Sequence, residues 1–188
     1  MLPGLVLLLA IAPAALPARP LGTAVRLTIG ELVERADLCV EGRVTAARAF
    51  AGPGRRIDTE YTFAVERTFW GEPQASRAIR IPGGVLPDGS GMAIPGLPML
   101  AEGEAAILFL SKADALGARM PIGLAQGRIS VATDAKGRKR LVRDLSGLAL
   151  VAEGGARAGA VRAQEELGYA EVVAAIESAV AARRKSSR

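Results

Sequence analysis

Histidine is absent from this chain of 188 residues, and cysteine occurs once. The lack of histidine removes the commonest general base, the commonest zinc ligand and every catalytic triad that contains this residue. A single cysteine also excludes an internal disulfide and a closed metal site of nitrogen and sulfur ligands. The sequence contains neither a P-loop nor a complete nucleophile elbow. We therefore expect no cofactor and no catalytic activity.

Aromatic residues are also scarce, at 4%, and the positive charge is concentrated at one end. The formal net charge is +5; without Arg19 it is +4, and the last six residues supply +4 by themselves. The remaining body is neutral overall, whereas a nucleic-acid-binding face needs clustered positive charge and stacking aromatics. The basic tail could contact an anionic lipid surface, but a frayed, solubilising helix end explains it better. We expect no nucleic-acid partner.

No apolar run reaches the ~20 residues of a membrane span. The longest run, 5–16, is interrupted by Pro13 and followed by Pro17, which is typical of a secretory signal peptide. Small residues permit cleavage after Ala14 or after Ala24, and cleavage after Ala24 leaves the shorter unstructured lead. The sequence thus predicts a signal peptide over 1–24, export to the periplasm or beyond, and no transmembrane segment after cleavage.

The composition of the rest, with 50% hydrophobic and 23% charged residues in the chain, predicts one folded domain. A capping box at Thr28 and Glu31 predicts a short helix over 28–36. Alternating residues predict strands over 38–45 and 57–66, with a turn at 51–54 between them. Further strands are predicted at 78–81, 105–110, 121–124, 128–133 and 138–143, with a hairpin turn at 134–137. The 105–110 run is continuously apolar, as in a strand covered on both faces.

The C-terminal part is predicted to be helical over 161–182, after a Gly-rich break at 154–159, with an interruption at Gly168. The predicted fold class is mainly β, or α+β: a small antiparallel barrel or sandwich over 25–153, framed by an N-terminal short helix and a C-terminal helix with a basic tail over 154–188. The oligomeric state does not follow from these patterns.

A long loop over 83–103 is rich in glycine and proline and carries scattered apolar residues, as binding loops often do. Trp70 ends the clearest strand and is either an exposed contact residue or a cap on the core. The candidate binding surface comprises these side chains: Trp70, Val85, Leu86, Asp88, Met92, Ile94, Leu97 and Met99.

Other chemistry-bearing residues have ordinary structural interpretations. Asp58 and Glu60 share a strand face about 6–7 Å apart, where paired carboxylates can act, but a solvent-facing side of the strand explains them better. Cys39 is interpreted as a small core residue rather than a reactive thiol. The basic residues 136–140 are interpreted as a solvated turn, with an anion contact as the alternative.

The runs 32–44 and 61–71 resemble the opening of a netrin-like (NTR) module, the fold of tissue inhibitors of metalloproteases. Such modules begin with a helix ending in an Ala-Asp-hydrophobic step, as at Ala36, Asp37 and Leu38, followed by two long strands of an OB-fold barrel. The chain is also similar to exported bacterial proteins that carry segments like 103–110 and 123–127. The inhibitors chelate the zinc of their target with an N-terminal cysteine, and no cysteine occurs near either candidate mature N-terminus here.

The resemblance and the export signal together predict a non-catalytic binding module for a protein or an envelope component. The alternatives are a protease inhibitor acting through the loop, an oligonucleotide-binding OB-fold, and an enzyme of unrecognised type.

Overall fold

A single antiparallel sheet organises the chain, and two helices pack on one of its faces. The computed structural model describes residues 22–97, 99–151 and 163–186. The elements, in chain order, are β1 (Gly22–Val25), α1 (Ile29–Arg35), β2 (Leu38–Ala51), β3 (Ile57–Trp70), β4 (Ser76–Pro82), β5 (Gly84–Val85), β6 (Gly91–Met92), β7 (Ala105–Leu110), β8 (Arg128–Thr133), β9 (Lys139–Asp144), β10 (Leu148–Val151), β11 (Gln164–Gly168) and α2 (Tyr169–Ser186).

The centre of the fold is the long hairpin of β2 and β3. The two strands pair from Cys39 and Trp70 at one end to Ala51 and Ile57 at the other, with register shifts along β2. Gly42 lies at one of these shifts, where a Cβ would come within 2.1 Å of the Ala64 carbonyl oxygen, so only glycine fits. Both strands and the turn between them are confirmed, and both strands run further than the sequence predicted.

Around this hairpin the strands are ordered β11, β9, β8, β7, β2, β3, β4, and every neighbouring pair is antiparallel. In the described residues β11 and β4 are the edges of an open sheet. The predicted mainly β, α+β class is confirmed. Two smaller pairs lie beside the sheet: β5 with β6, and β1 with β10, the latter parallel.

Apolar side chains pack on both faces of the sheet. On one face, Ile107 and Phe109 of β7 contact the core formed by α1 and α2. On the other face, Ala106, Leu108 and Leu110 pack with the inward residues of β2, β3 and β4. The apolar run of β7 is therefore covered on both sides, as its sequence predicts. None of the described helices combines the length and apolar character of a membrane span.

The N-terminal helix is confirmed, together with its capping box. The Glu31 amide donates to Thr28 Oγ1 at 3.3 Å, and the Thr28 amide donates to Glu31 Oε2 at 2.8 Å. The hairpin turn at 134–137 is also confirmed, since the Asp134 carboxylate accepts from the amides of Lys136 and Arg138.

Two predicted elements are wrong. Residues 164–168 are not the start of a helix but strand β11, because their backbone pairs with β9 and places Glu165 beside Arg143. Residues 121–124 do not form a strand: Pro121 makes a single bridge to Leu110, and a 3₁₀ turn, Leu124–Gly127, follows. The proposed leader up to residue 21 and the Gly-rich break at 154–159 lie outside the described residues.

Candidate functional site

The predicted binding loop lines two separate clefts. One, which we call the apolar cleft, is formed by residues 93–97 on one side and Asp144, Ser146 and Gly147 on the other, with Ala125 between them, and has a volume of about 350 Å³. It contains Ile94 and Leu97 of the predicted surface. Its lining is almost entirely apolar or uncharged, with the Asp144 carboxylate as the exception.

Backbone hydrogen bonds hold both walls of the apolar cleft in place. The Ala125 amide donates to the Gly96 carbonyl at 3.0 Å, and the Leu97 amide donates to the Ile94 carbonyl at 3.0 Å. On the opposite wall the Leu148 amide donates to the Leu145 carbonyl at 2.9 Å. These bonds make the cleft a preformed feature of the fold, which is typical of ligand sites.

Glycine is required where the two walls meet. Gly96 has φ +78°, and a Cβ on it would lie 2.3 Å from Leu148 Cδ2. A Cβ on Gly147 would lie 3.7 Å from Gly96 Cα, in ordinary contact. The close approach of Gly96 to the Leu148 side chain therefore requires glycine at position 96, whereas position 147 has room for a Cβ.

The second cleft, which we call the hairpin cleft, lies between residues 47–50 of β2 and residues 85–88, with a volume of about 670 Å³. It contains Val85, Leu86 and Asp88 of the predicted surface, and Val85 is 59% exposed. Asp88 accepts hydrogen bonds from the hydroxyl and amide of Ser90, and these bonds lower its pKa. The Asp88 carboxylate thus shapes its own turn.

The remaining predicted surface residues line neither cleft. Met92 pairs with Gly84 in the small β5–β6 hairpin, and Met99 is 49% exposed. Trp70 belongs to the core on the helical face, and the Arg183 guanidinium covers its ring at 4.2 Å. The structure thus brings Ile94 and Leu97 together in one cleft, and Val85, Leu86 and Asp88 in the other.

Asp58 and Glu60 do not form a free carboxylate pair. Asp58 is 2% exposed, so its interpretation as a solvent-facing residue is wrong, and its Oδ1 accepts from Arg56 Nε at 2.6 Å. Glu60 is bonded to Arg80 at 3.3 Å. Each carboxylate is thus paired with an arginine, and Arg56 also binds Asp114 at 2.7 Å.

Cys39 and Lys139, the other chemistry-bearing residues of the sequence prediction, both have structural roles. Cys39 is fully buried, and burial raises the pKa of its thiol, as the core interpretation requires. Lys139, in the basic segment 136–140, donates to Glu41 Oε1 at 2.7 Å and Glu66 Oε2 at 2.9 Å. Its ammonium is therefore committed to carboxylates of the chain itself.

Comparison with protein-family models, with curated proteins and with solved structures gave no match to this chain. Within the described ranges, no group of three or more His, Cys, Asp or Glu side chains is placed to hold a metal ion.

The segment 123–127, part of the resemblance to exported proteins, has a structural role here. Gln126 is fully buried; its Oε1 accepts from the Leu27 amide at 2.8 Å, and its Nε2 donates to the Val25 carbonyl at 2.9 Å. A Cβ on Gly127 would lie 2.5 Å from backbone atoms of Ile122. This motif fixes the chain between β1 and α1, and it also positions Ala125 in the apolar cleft.

The sequence analysis missed Asp144. It ends β9, and its Oδ1 accepts from the Ser146 amide at 2.9 Å. Burial acts to raise its pKa, but hydrogen bonds from Ser146 and Gln164 and the charge of Arg128 outweigh this and lower it. The residue is thus a carboxylate at neutral pH. The Asp-x-Ser spacing signals such a local turn, but nothing in it indicates a cleft.

Proposed function

We propose that this chain is an exported, non-catalytic binding module that holds an apolar segment of a partner protein in the apolar cleft. The observation that carries the proposal is the cleft itself: a mostly apolar, concave surface with walls fixed by backbone hydrogen bonds. Preformed apolar concavities with few polar groups are the usual form of binding sites.

The size of the cleft limits what it can hold. A volume of about 350 Å³ is at the lower end of the ~300–1,000 Å³ that is usual for ligand sites. It accommodates one or two apolar side chains and is too small for a large cofactor. Protein interfaces typically concentrate their binding energy in a few such anchor residues, which supports a protein partner.

We also propose that the sheet is a variant of the netrin-like OB barrel. The long β2–β3 hairpin after a short capped helix supports this assignment. Its register shifts are the kind of irregularity that bends strands in barrels. Export is part of the same proposal and rests on the apolar run at 5–16.

The test is to obstruct the cleft and compare binding. Ala93 is exposed and lines the cleft, so Ala93→Trp places an indole there without removing a core contact. The matched control is Ala135→Trp, in the exposed β8–β9 turn. Partners are captured from the envelope fraction of the host with each protein and identified by mass spectrometry, and the affinity of each purified partner is then measured by calorimetry.

We expect a partner that binds the unmodified chain and Ala135→Trp equally and loses affinity for Ala93→Trp. A partner that binds all three proteins equally would locate the binding surface elsewhere. The non-catalytic assignment would be overturned if the purified chain turned over a substrate and if changing Asp58 or Glu60 abolished that turnover.

A further inference from the structure

Among the described residues that line the apolar cleft, one is charged, and its charge is negative. Asp144 lies on the wall opposite Ile94 and Leu97, and in the part of the chain that the structure describes it has no ion-pair partner within 4.0 Å. The Ser146 amide fixes one of its oxygens at 2.9 Å, so the carboxylate has a defined position in the cleft.

Nearby positive charge does not neutralise Asp144. Arg128, whose charge acts on Asp144, donates from Nε to Glu104 Oε1 at 2.8 Å and makes a second bond to the same oxygen. Arg143 follows the alternation of β9 to the other face of the sheet, where it is bonded to Glu165. Both arginines are therefore paired with glutamates, and neither is among the residues that line the cleft.

We propose that the apolar cleft selects a partner segment in which a lysine or arginine side chain adjoins apolar residues, and that Asp144 is the residue that selects the cation. This inference rests on the proposed function, whose partner class it specifies. Covering an unpaired carboxylate with a purely apolar segment costs free energy, because the carboxylate loses water without gaining a partner. A segment that brings an ammonium or guanidinium avoids that cost and adds a charge-assisted hydrogen bond.

The same charge disfavours other ligands. An acidic segment, a phosphate group or a nucleic-acid backbone would bring like charge against Asp144 in surroundings that screen it less than bulk water does. The cleft is therefore a poor site for the oligonucleotide that the OB-fold alternative implies.

The experiment uses three acetylated, amidated heptapeptides that differ only at the central position, which is lysine, norleucine or glutamate, with leucine on both sides. Binding to the full chain is followed by NMR through the amide signals of Gly96 and Ser146, so that the location of binding is observed together with its affinity. Asp144→Asn keeps an oxygen for the Ser146 amide and removes the charge. Asp88→Asn, in the hairpin cleft, is the matched control.

We expect the lysine peptide to bind about tenfold more tightly than the norleucine peptide, and the glutamate peptide to bind most weakly. Asp144→Asn should remove the preference for lysine without changing the affinity for norleucine, and Asp88→Asn should change neither. Thermal unfolding of each variant confirms that it is folded.

The two possible failures are distinguishable. If the lysine and norleucine peptides bind equally, and Ala93→Trp weakens both, the cation selectivity is refuted while the proposed binding function stands. If no peptide shifts the signals of Gly96 or Ser146, the proposed function and this inference both fail. Binding to vesicles with amine headgroups, with none to the lysine peptide, would overturn the assignment of a protein partner.

Discussion

The carboxylate of Glu41 joins the C-terminal helix to the sheet, and its removal gives the sharpest test of how the fold is held. Glu41 is 2% exposed. Its Oε2 accepts from the hydroxyl of Tyr169, the first residue of α2, at 2.8 Å, and its Oε1 accepts from Lys139 Nζ at 2.7 Å. Glu66 accepts from the same ammonium at 2.9 Å but is largely exposed.

The expected loss in the free energy of unfolding depends on how deeply each substituted group is buried. Tyr169→Phe keeps the ring under Lys139 and removes one hydrogen bond to a charged group, which we expect to lower the free energy of unfolding by about 1.5 kcal/mol. Glu41→Gln removes a buried charge that has two donors, and should cost about 2–3 kcal/mol. Glu66→Gln, at an exposed pair, should cost less than about 1 kcal/mol.

The assay is equilibrium unfolding in urea, with the single variants and the double variant Glu41→Gln/Tyr169→Phe. We expect an unchanged dependence on urea concentration and a coupling energy of about 1 kcal/mol between the two sites. Equal costs for Glu66→Gln and Glu41→Gln, or additive effects of the Glu41 and Tyr169 changes, would refute the reasoning that burial decides which carboxylate matters.

Three further predictions concern other parts of the chain. Burial acts to raise the pKa of Glu165, but the hydrogen bond and charge of Arg143 outweigh burial and lower this pKa. The ionised Glu165 carboxylate therefore stabilises the fold above about pH 4.3, and this stabilisation is lost as the pH falls through the lowered pKa. Glu165→Gln should therefore destabilise the chain by about 3 kcal/mol at pH 7 and flatten its acid unfolding curve. Cys39 should not react with a small thiol reagent until urea unfolds the chain, and rapid labelling of the folded protein would contradict its burial. If the chain is exported as proposed, N-terminal sequencing of the mature protein should place its start at or before Gly22, because cleavage after Ala24 removes three residues of β1 that pair with β10.

The elements predicted correctly are those whose pattern is local. The alternation in β2 and β3 and the capping box of α1 depend on residues close together in the chain, so the sequence alone predicts them. Strand β11 is different: its Gln-Glu-Glu-Leu composition favours a helix, and only its pairing with β9 makes it extended. Tertiary pairing outweighed local propensity there.

Strands β1 and β10 could not have been predicted from local patterns. The two strands are far apart in the sequence but pair in parallel, with Gly22 opposite Leu148 and Val25 opposite Val151. Each is only four residues long, and β1 overlaps the segment assigned to the leader. A pairing between short segments so far apart leaves no periodic signal in either of them.

The candidate site, too, was predicted from the sequence where it depends on local patterns and was missed where it depends on long-range contacts. The glycine and proline content of 83–103 predicts a loop with scattered apolar side chains, but it does not predict the short β5–β6 hairpin within that segment. It did not indicate that the loop divides between two clefts, since this depends on Gly96 lying against Leu148 and on the Ala125 amide reaching the Gly96 carbonyl. The position of Asp144 depends on those contacts. In the sequence it is an ordinary strand end, and in the fold it is the one charged side chain among the described residues that line the apolar cleft. The role proposed for this residue depends on the absence of a cationic partner for its carboxylate among the described side chains, and such an absence can be recognised only when its neighbours are known.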